Sequence, residues 1–153
     1  MRHGIAGAPT GGQSDKMRAL TPEGVVRIER QTYAMKKAGW EIDLLLSSAF
    51  VRARQTAAIV ARALKIDVGE DQMLSPECTL DDLAEVLERH GSPSRAMAVG
   101  HQPAMGRLVY ELAGAMPRFD PGTAAVLEVA GLRPGGGTLI GLYAPEEMMR
   151  LGR

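Results

Sequence analysis

Apolar positions along the chain follow two periods, and their alternation predicts helices interleaved with strands. Val25, Ile28, Thr32 and Met35 recur at helical spacing behind Thr21-Pro22-Glu23, and Gly39 closes the segment. Thr21 suits the N-cap, Pro22 the first helical position, and Glu23 the positive end of the helix dipole. Leu44-Leu45-Leu46 follows Ile42 as a short unbroken apolar run, the pattern of a strand buried on both faces. Ser47 to Phe50 form a turn into a second helix, from about Val51 to Leu64, with Ala57, Val60, Ala61 and Leu64 inside. Ile66-Asp67-Val68 reads as a short edge strand. A third helix starts at Thr79-Leu80-Asp81-Asp82, keeps Leu83, Val86 and Leu87 on one side, and ends at Gly91. Arg95 to Val99 is a second buried strand, stopped by Gly100, and Pro103 to Ala113 is a fourth helix. Ala124–Val129 and Thr138–Tyr143 flank Arg133-Pro134-Gly135-Gly136-Gly137 and predict a hairpin, with a short helix from Pro145. Residues 5–20 have no periodic face. Their Gly7, Pro9, Gly11, Gly12, Ser14 and Asp15 read as an exposed loop.

This order implies an α/β sandwich with a mostly parallel sheet and an antiparallel edge. Open sheets of that kind carry their sites at the carboxyl ends of strands. Ser48 and Arg52 follow the first buried run, and His101 follows the second almost directly. The 153 residues fit a single domain, 1–153, without internal repeat. Lys+Arg and Asp+Glu balance at 18 each, which argues against a general nucleic-acid binder. Most of the cations are arginine, the better residue for forked contacts to phosphate. Cys78 is the one cysteine, so no internal disulfide forms and a reducing cytoplasm is expected. Nothing reaches the length of a membrane span, and the expectation is a soluble cytoplasmic protein.

Arg2, His3 and Gly4 open the chain, and with Arg52 and His101 they compose a coherent chemistry. Phosphoryl transfer needs an in-line nucleophile and positive charge around the equatorial oxygens. A neutral imidazole at His3 can take the phosphoryl group and hold it as phosphohistidine. Arg2 and Arg52 supply forked donors, and His101, protonated by the charge of the phosphate, adds a hydrogen bond. One arginine on a transferring phosphoryl is worth on the order of 10³–10⁵ in rate. Ser48 either touches the phosphate or caps its helix, with equal weight. Arg18 orders the loop or reaches the ligand. His90 suits a helix C-terminus, Cys78 a small buried side chain, and the methionines core filler.

Arg2-His3-Gly4, Arg18-Ala19-Leu20-Thr21-Pro22-Glu23-Gly24, Ser47 to Thr56 (Ser-Ser-Ala-Phe-Val-Arg-Ala-Arg-Gln-Thr) and Val99-Gly100-His101 match, in order, the pattern of the histidine phosphatase superfamily. The chain most resembles its SixA-type phosphohistidine phosphatase branch. The resemblance covers nearly the whole chain. It implies a phosphoglycerate mutase-like, three-layer α/β sandwich with helices on both faces of the sheet. It further implies that His3 is the phospho-accepting nucleophile and that Arg2, Arg52 and His101 complete the pocket. Ser48 and Gly4 are carried beside them as candidate substrate contacts. No metal and no cofactor are implied. The implied substrate is a phosphorylated protein, such as a histidine phosphotransfer domain, or a small phosphorylated molecule.

Two departures from the family pattern shape further expectations. No apolar strand precedes Arg2-His3-Gly4, so the first strand is expected to be truncated and the nucleophile poorly anchored. No motif selects a general acid among Glu77, Asp81 and Asp82. The leading reading is a metal-independent phosphatase acting on protein phosphohistidine. Its alternatives are a small-molecule phosphomonoesterase and a non-catalytic phosphate-binding module.

Overall fold

The computed structural model describes residues 1–151. Its elements are α1 (Pro22–Lys37), β1 (Leu44–Ser48), α2 (Val51–Leu64), β2 (Val68–Asp71), α3 (Leu80–Arg89), β3 (Ala96–Val99), α4 (Ala104–Ala113), β4 (Ala124–Val129), β5 (Gly137–Tyr143) and α5 (Pro145–Leu151). The helix starts follow the sequence logic. Thr21 caps α1 by accepting from the Gly24 amide, and Thr79 with Asp82 forms a reciprocal capping box on α3.

The first three strands form a parallel sheet in the order β2-β1-β3. Alternation along the strands sends side chains to opposite faces, and each face has its own core. Leu45, Met97 and Val99 pack with Ile28 and Met35 of α1, Ala57 and Val60 of α2, and Met148 of α5. Leu46 packs on the other face with Val86 of α3 and with Met105, Leu108 and Leu112 of α4. Helices therefore cover both faces of the sheet.

Three features differ in detail from the sequence reading. The edge strand begins at Val68 and pairs Val68 with Leu45, while Ile66 packs against the core instead of joining the ladder. The hairpin β4-β5 is a separate antiparallel sheet with a register shift between Val126 and Leu127, not an edge of the parallel one. The loop is also more ordered than its composition suggests. A 3₁₀ turn spans Asp15–Met17, and Ala6 bridges Leu20.

The expected weakness at the chain start is corrected. Met1 to His3 lie between the end of β3 and the residues that lead into β4, and bond to both. On one side the His3 amide donates to Gly100 O at 3.0 Å and the Gly100 amide to Met1 O at 3.0 Å. On the other, the Arg2 amide donates to Thr123 O at 2.9 Å and the Gly122 amide to His3 O at 3.0 Å. Among the described residues, no helix is long and apolar enough to cross a membrane.

Candidate active site

Parallel pairing of β1 with β3, Ser47 opposite Val99, brings the carboxyl ends of both strands to one rim. β1 ends on Ser48, and Arg52 follows in the first turn of α2. Past β3 the chain presents Gly100 and His101. The parallel bridge between Arg2 and Gly100 delivers His3 to the same rim. Residues far apart in sequence thus converge through strand direction alone.

Three of the predicted residues are almost enclosed: His3 at 7% exposure, Arg52 at 4% and His101 at 1%. His3 Nδ1 lies 2.7 Å from Gly4 O. A carbonyl only accepts, so Nδ1 carries the proton and Nε2 the lone pair. Arg52 Nε donates to that Nε2 at 3.1 Å. Burial lowers the His3 pKa to about 4, opposed by the bond to Gly4 O and reinforced by the charges of Arg52, Arg2 and Arg18. At neutral pH His3 is an uncharged imidazole with Nε2 as its nucleophilic atom.

His101 sits with its ring centroid 5.2 Å from that of His3. Its Nε2 is 2.8 Å from Ser48 Oγ, which also accepts from the Phe50 amide at 3.3 Å. Nδ1 is buried without a protein partner. Burial, then His3 and Arg52, push the His101 pKa down to about 3. His101 is therefore neutral in the protein by itself, and only the charge of a nearby anion would protonate it. Phe50 closes the arrangement, with its ring 4.6 Å from His101 and 5.0 Å from the Arg52 guanidinium carbon.

These groups border a cavity of about 230 Å³ walled by Arg2, His3, Ile5, Ala6, Arg18, Arg52, His101, Gln102 and Pro121. A larger cleft of about 420 Å³, against α3, α4 and the hairpin, has mostly apolar walls such as Leu83, Leu108 and Leu127. It holds none of the chemistry. The smaller cavity is the candidate site because histidines and arginines converge there.

Ser48 and Gly4 are not among the residues that wall the cavity. Each stands behind a histidine. Ser48 holds His101, and Gly4 holds His3 through its carbonyl. The Gly4 amide donates to Thr56 Oγ1 at 3.0 Å, and that hydroxyl donates to Arg52 O at 2.8 Å. Glycine is required at this position because a Cβ would sit 2.7 Å from Ile28 Cγ1. The three candidate acids also lie away from the walls. Glu77 accepts from Ser75, Asp82 is committed to the α3 cap at 2.8 Å, and Asp81 is exposed on the first turn of that helix. Arg18 donates to Gly7 O at 2.9 Å, which ties down the loop, and its side chain also lines the cavity.

Sequence reasoning passed over Asp15. Its carboxylate accepts from Arg18 Nε at 2.7 Å and Arg52 Nη2 at 2.9 Å, and its carbonyl accepts from Arg52 Nη1 at 2.7 Å. The only available signal was an Asp three residues before an Arg within a loop, which is too common to single out.

The family model of the histidine phosphatase superfamily (branch 1) matches residues 1–83. An uncharacterised protein from Picosynechococcus sp. is 34% identical over 111 residues, covering 69% of this chain and 66% of the relative, just under two thirds of its length. Among solved structures, the protein histidine phosphatase SixA complexed with tungstate superposes with a TM-score of 0.83 at 26% identity, covering 97% of this chain and 96% of that one. A protein described as phosphohistidine phosphatase SixA from Nakamurella multipartitia gives 0.79 at 27% identity, covering 95% and 93%. The sheet and its flanking helices match the phosphoglycerate mutase-like fold of these neighbours.

Proposed function

The chain belongs to the histidine phosphatase superfamily, on its SixA-type branch, and we propose that it hydrolyses protein phosphohistidine through a phosphoenzyme formed on His3 Nε2. One observation carries the choice of substrate. Among the described residues, no carboxylate walls the cavity, and Asp15 beside it is held below the usual carboxylate range by hydrogen bonds from Arg18 and Arg52. An alkyl phosphoester needs a proton for its departing alkoxide. A phosphohistidine whose other ring nitrogen is protonated departs as neutral imidazole and needs none.

In the first step the Nε2 lone pair of His3 forms the new N–P bond as the substrate's N–P bond breaks. Arg52 Nε leaves Nε2 free for phosphorus while its remaining N–H groups bond the equatorial oxygens, and Arg2 and Arg18 face the same charge. The dianion raises the affinity of His101 for a proton, so that His101 donates as charge shifts outward. In the second step water attacks phosphorus, the His3–P bond breaks, and inorganic phosphate leaves with neutral His3 restored. That a related SixA protein was solved with tungstate, a tetrahedral oxyanion, supports an oxyanion site of this shape.

The test compares wild type with His3→Ala on a phosphorylated histidine phosphotransfer domain, an aryl phosphate and a panel of sugar phosphates. Wild type should turn over the phosphodomain fastest and become labelled on histidine, and His3→Ala should lose at least about 10³-fold, the scale of removing a nucleophile. Preference for the sugars would replace the substrate reading. Turnover retained in His3→Ala would remove His3 from the mechanism.

A further inference from the structure

Arg18 and Arg52 come from different parts of the fold, a loop and a helix, yet their guanidiniums meet at one carboxylate. Asp15 takes Arg18 Nε on Oδ1 and Arg52 Nη2 on Oδ2, while its own carbonyl takes Arg52 Nη1. The opposite side of each guanidinium is also fixed, Arg18 Nη1 by Gly7 O and Arg52 Nε by His3 Nε2. Both arginines wall the cavity. Asp15 is half exposed and contributes little to the core, so its three contacts act on these two side chains rather than on folding.

We propose that Asp15 is a positioning residue that locks Arg18 and Arg52 into a single clamp for the phosphoryl oxygens. The proposal rests on the phosphatase reading above. An arginine has five N–H donors in a rigid fork. Asp15 engages one on each Nη of Arg52 and the Nε of Arg18, and with Arg52 Nε on His3 and one Arg18 Nη1 donor on Gly7 O this leaves two donors on Arg52 and three on Arg18 for an incoming oxyanion. The charge also fits. Arg2, Arg18 and Arg52 against Asp15 leave two positive charges at the cavity, matching a phosphoryl dianion, and Asp120 near Arg2 is occupied by Arg118. Without the carboxylate, two like-charged guanidiniums would repel and relax towards solvent, and Arg52 would carry its bond to His3 Nε2 with it.

The opposite possibility is that Asp15 competes with substrate for the fork. The two differ in sign. We would measure kcat and KM on an aryl phosphate, inhibition by vanadate, and Tm, for wild type, Asp15→Ala, Asp15→Asn and Asp15→Glu. Positioning requires that Asp15→Ala lower kcat by about 10- to 100-fold, the scale of ~1 Å misplacement of catalytic groups, and weaken vanadate binding. Tm should stay within about 2 °C, Asp15→Asn should fall between, and Asp15→Glu should recover part of the rate. Unchanged constants, or tighter vanadate and a lower KM in Asp15→Ala, would overturn the clamp while leaving the phosphatase reading intact. A wild-type protein that neither turns over the aryl phosphate nor binds vanadate would overturn both.

Discussion

At the scale of the residue, the site is defined by protonation. His3 and His101 are pushed down to about 4 and about 3, with burial as the leading cause in both. In the unfolded chain a histidine takes its proton near pH 6.5. Between that value and the folded pKa the unfolded state binds more protons, so stability rises with pH across this window and is lost as pH falls through it. We expect Tm to drop between pH 6.5 and 4.5 by at least about 3 °C, the shift that roughly 1 kcal/mol makes in a domain of this size. His3→Gln and His101→Gln should each flatten the slope in a thermal-melt series, and an unchanged slope in both would contradict the burial argument. His3, Arg2, Arg52 and His101 could be named as candidates from the sequence because an ordered set of rare side chains stood at strand ends, and the structure brings all four to one cavity. The role of Ser48 was not readable, since one hydroxyl can cap a helix, touch phosphate or hold a histidine with the same sequence. The structure sets Ser48 Oγ 2.8 Å from His101 Nε2, accepting from the Phe50 amide.

At the scale of the element, α2 is tied to the His3 segment by a buried hydroxyl as well as by Arg52 Nε. Thr56 lies one turn past Arg52, donates to the Arg52 carbonyl and accepts from the Gly4 amide. Thr56→Val preserves the shape but leaves the buried Gly4 N–H without a partner, at a cost of about 1–3 kcal/mol. Enzyme assays should show kcat falling more than tenfold with KM changed less, and Thr56→Ser should restore most of the rate. Equal activity in Thr56→Val would show that the Thr56 hydroxyl is not needed to place His3. The fold's elements were mostly legible because helical and strand periods separate cleanly. Two were not. Ile66 is apolar and reads as strand, yet it fills the core, and the ladder starts at Val68. The segment before His3 is too short to show a period, while its anchoring comes from backbone groups of Gly100, Gly122 and Thr123, which carry no sequence pattern.

At the scale of the whole molecule, a formal charge of zero conceals a strongly uneven distribution. Surface carboxylates pair with surface arginines, as in Arg95 with Asp43 and Arg62 with Glu29, whereas the rim of the parallel sheet gathers Arg2, Arg18 and Arg52 around one cavity. Such a focused field favours a dianion, which is the role a divalent ion fills in other phosphoryl-transfer sites. Among the described residues, no group of three or more His, Cys, Asp or Glu gathers that would hold such an ion. On this basis prolonged dialysis against EDTA should leave the rate on an aryl phosphate within about twofold. The sharper arm is salt. Arg2 and Arg18 are only half-buried, so their attraction for an incoming dianion weakens as the Debye length shrinks from ~10 Å at 0.1 M to ~3 Å at 1 M, and KM should rise with ionic strength while kcat, set by the enclosed contacts of Arg52 and the histidines, changes little. A tenfold loss on chelation that Mg²⁺ restores would show that the arginines are not sufficient, and a salt-independent KM would show that they do not attract the substrate at all.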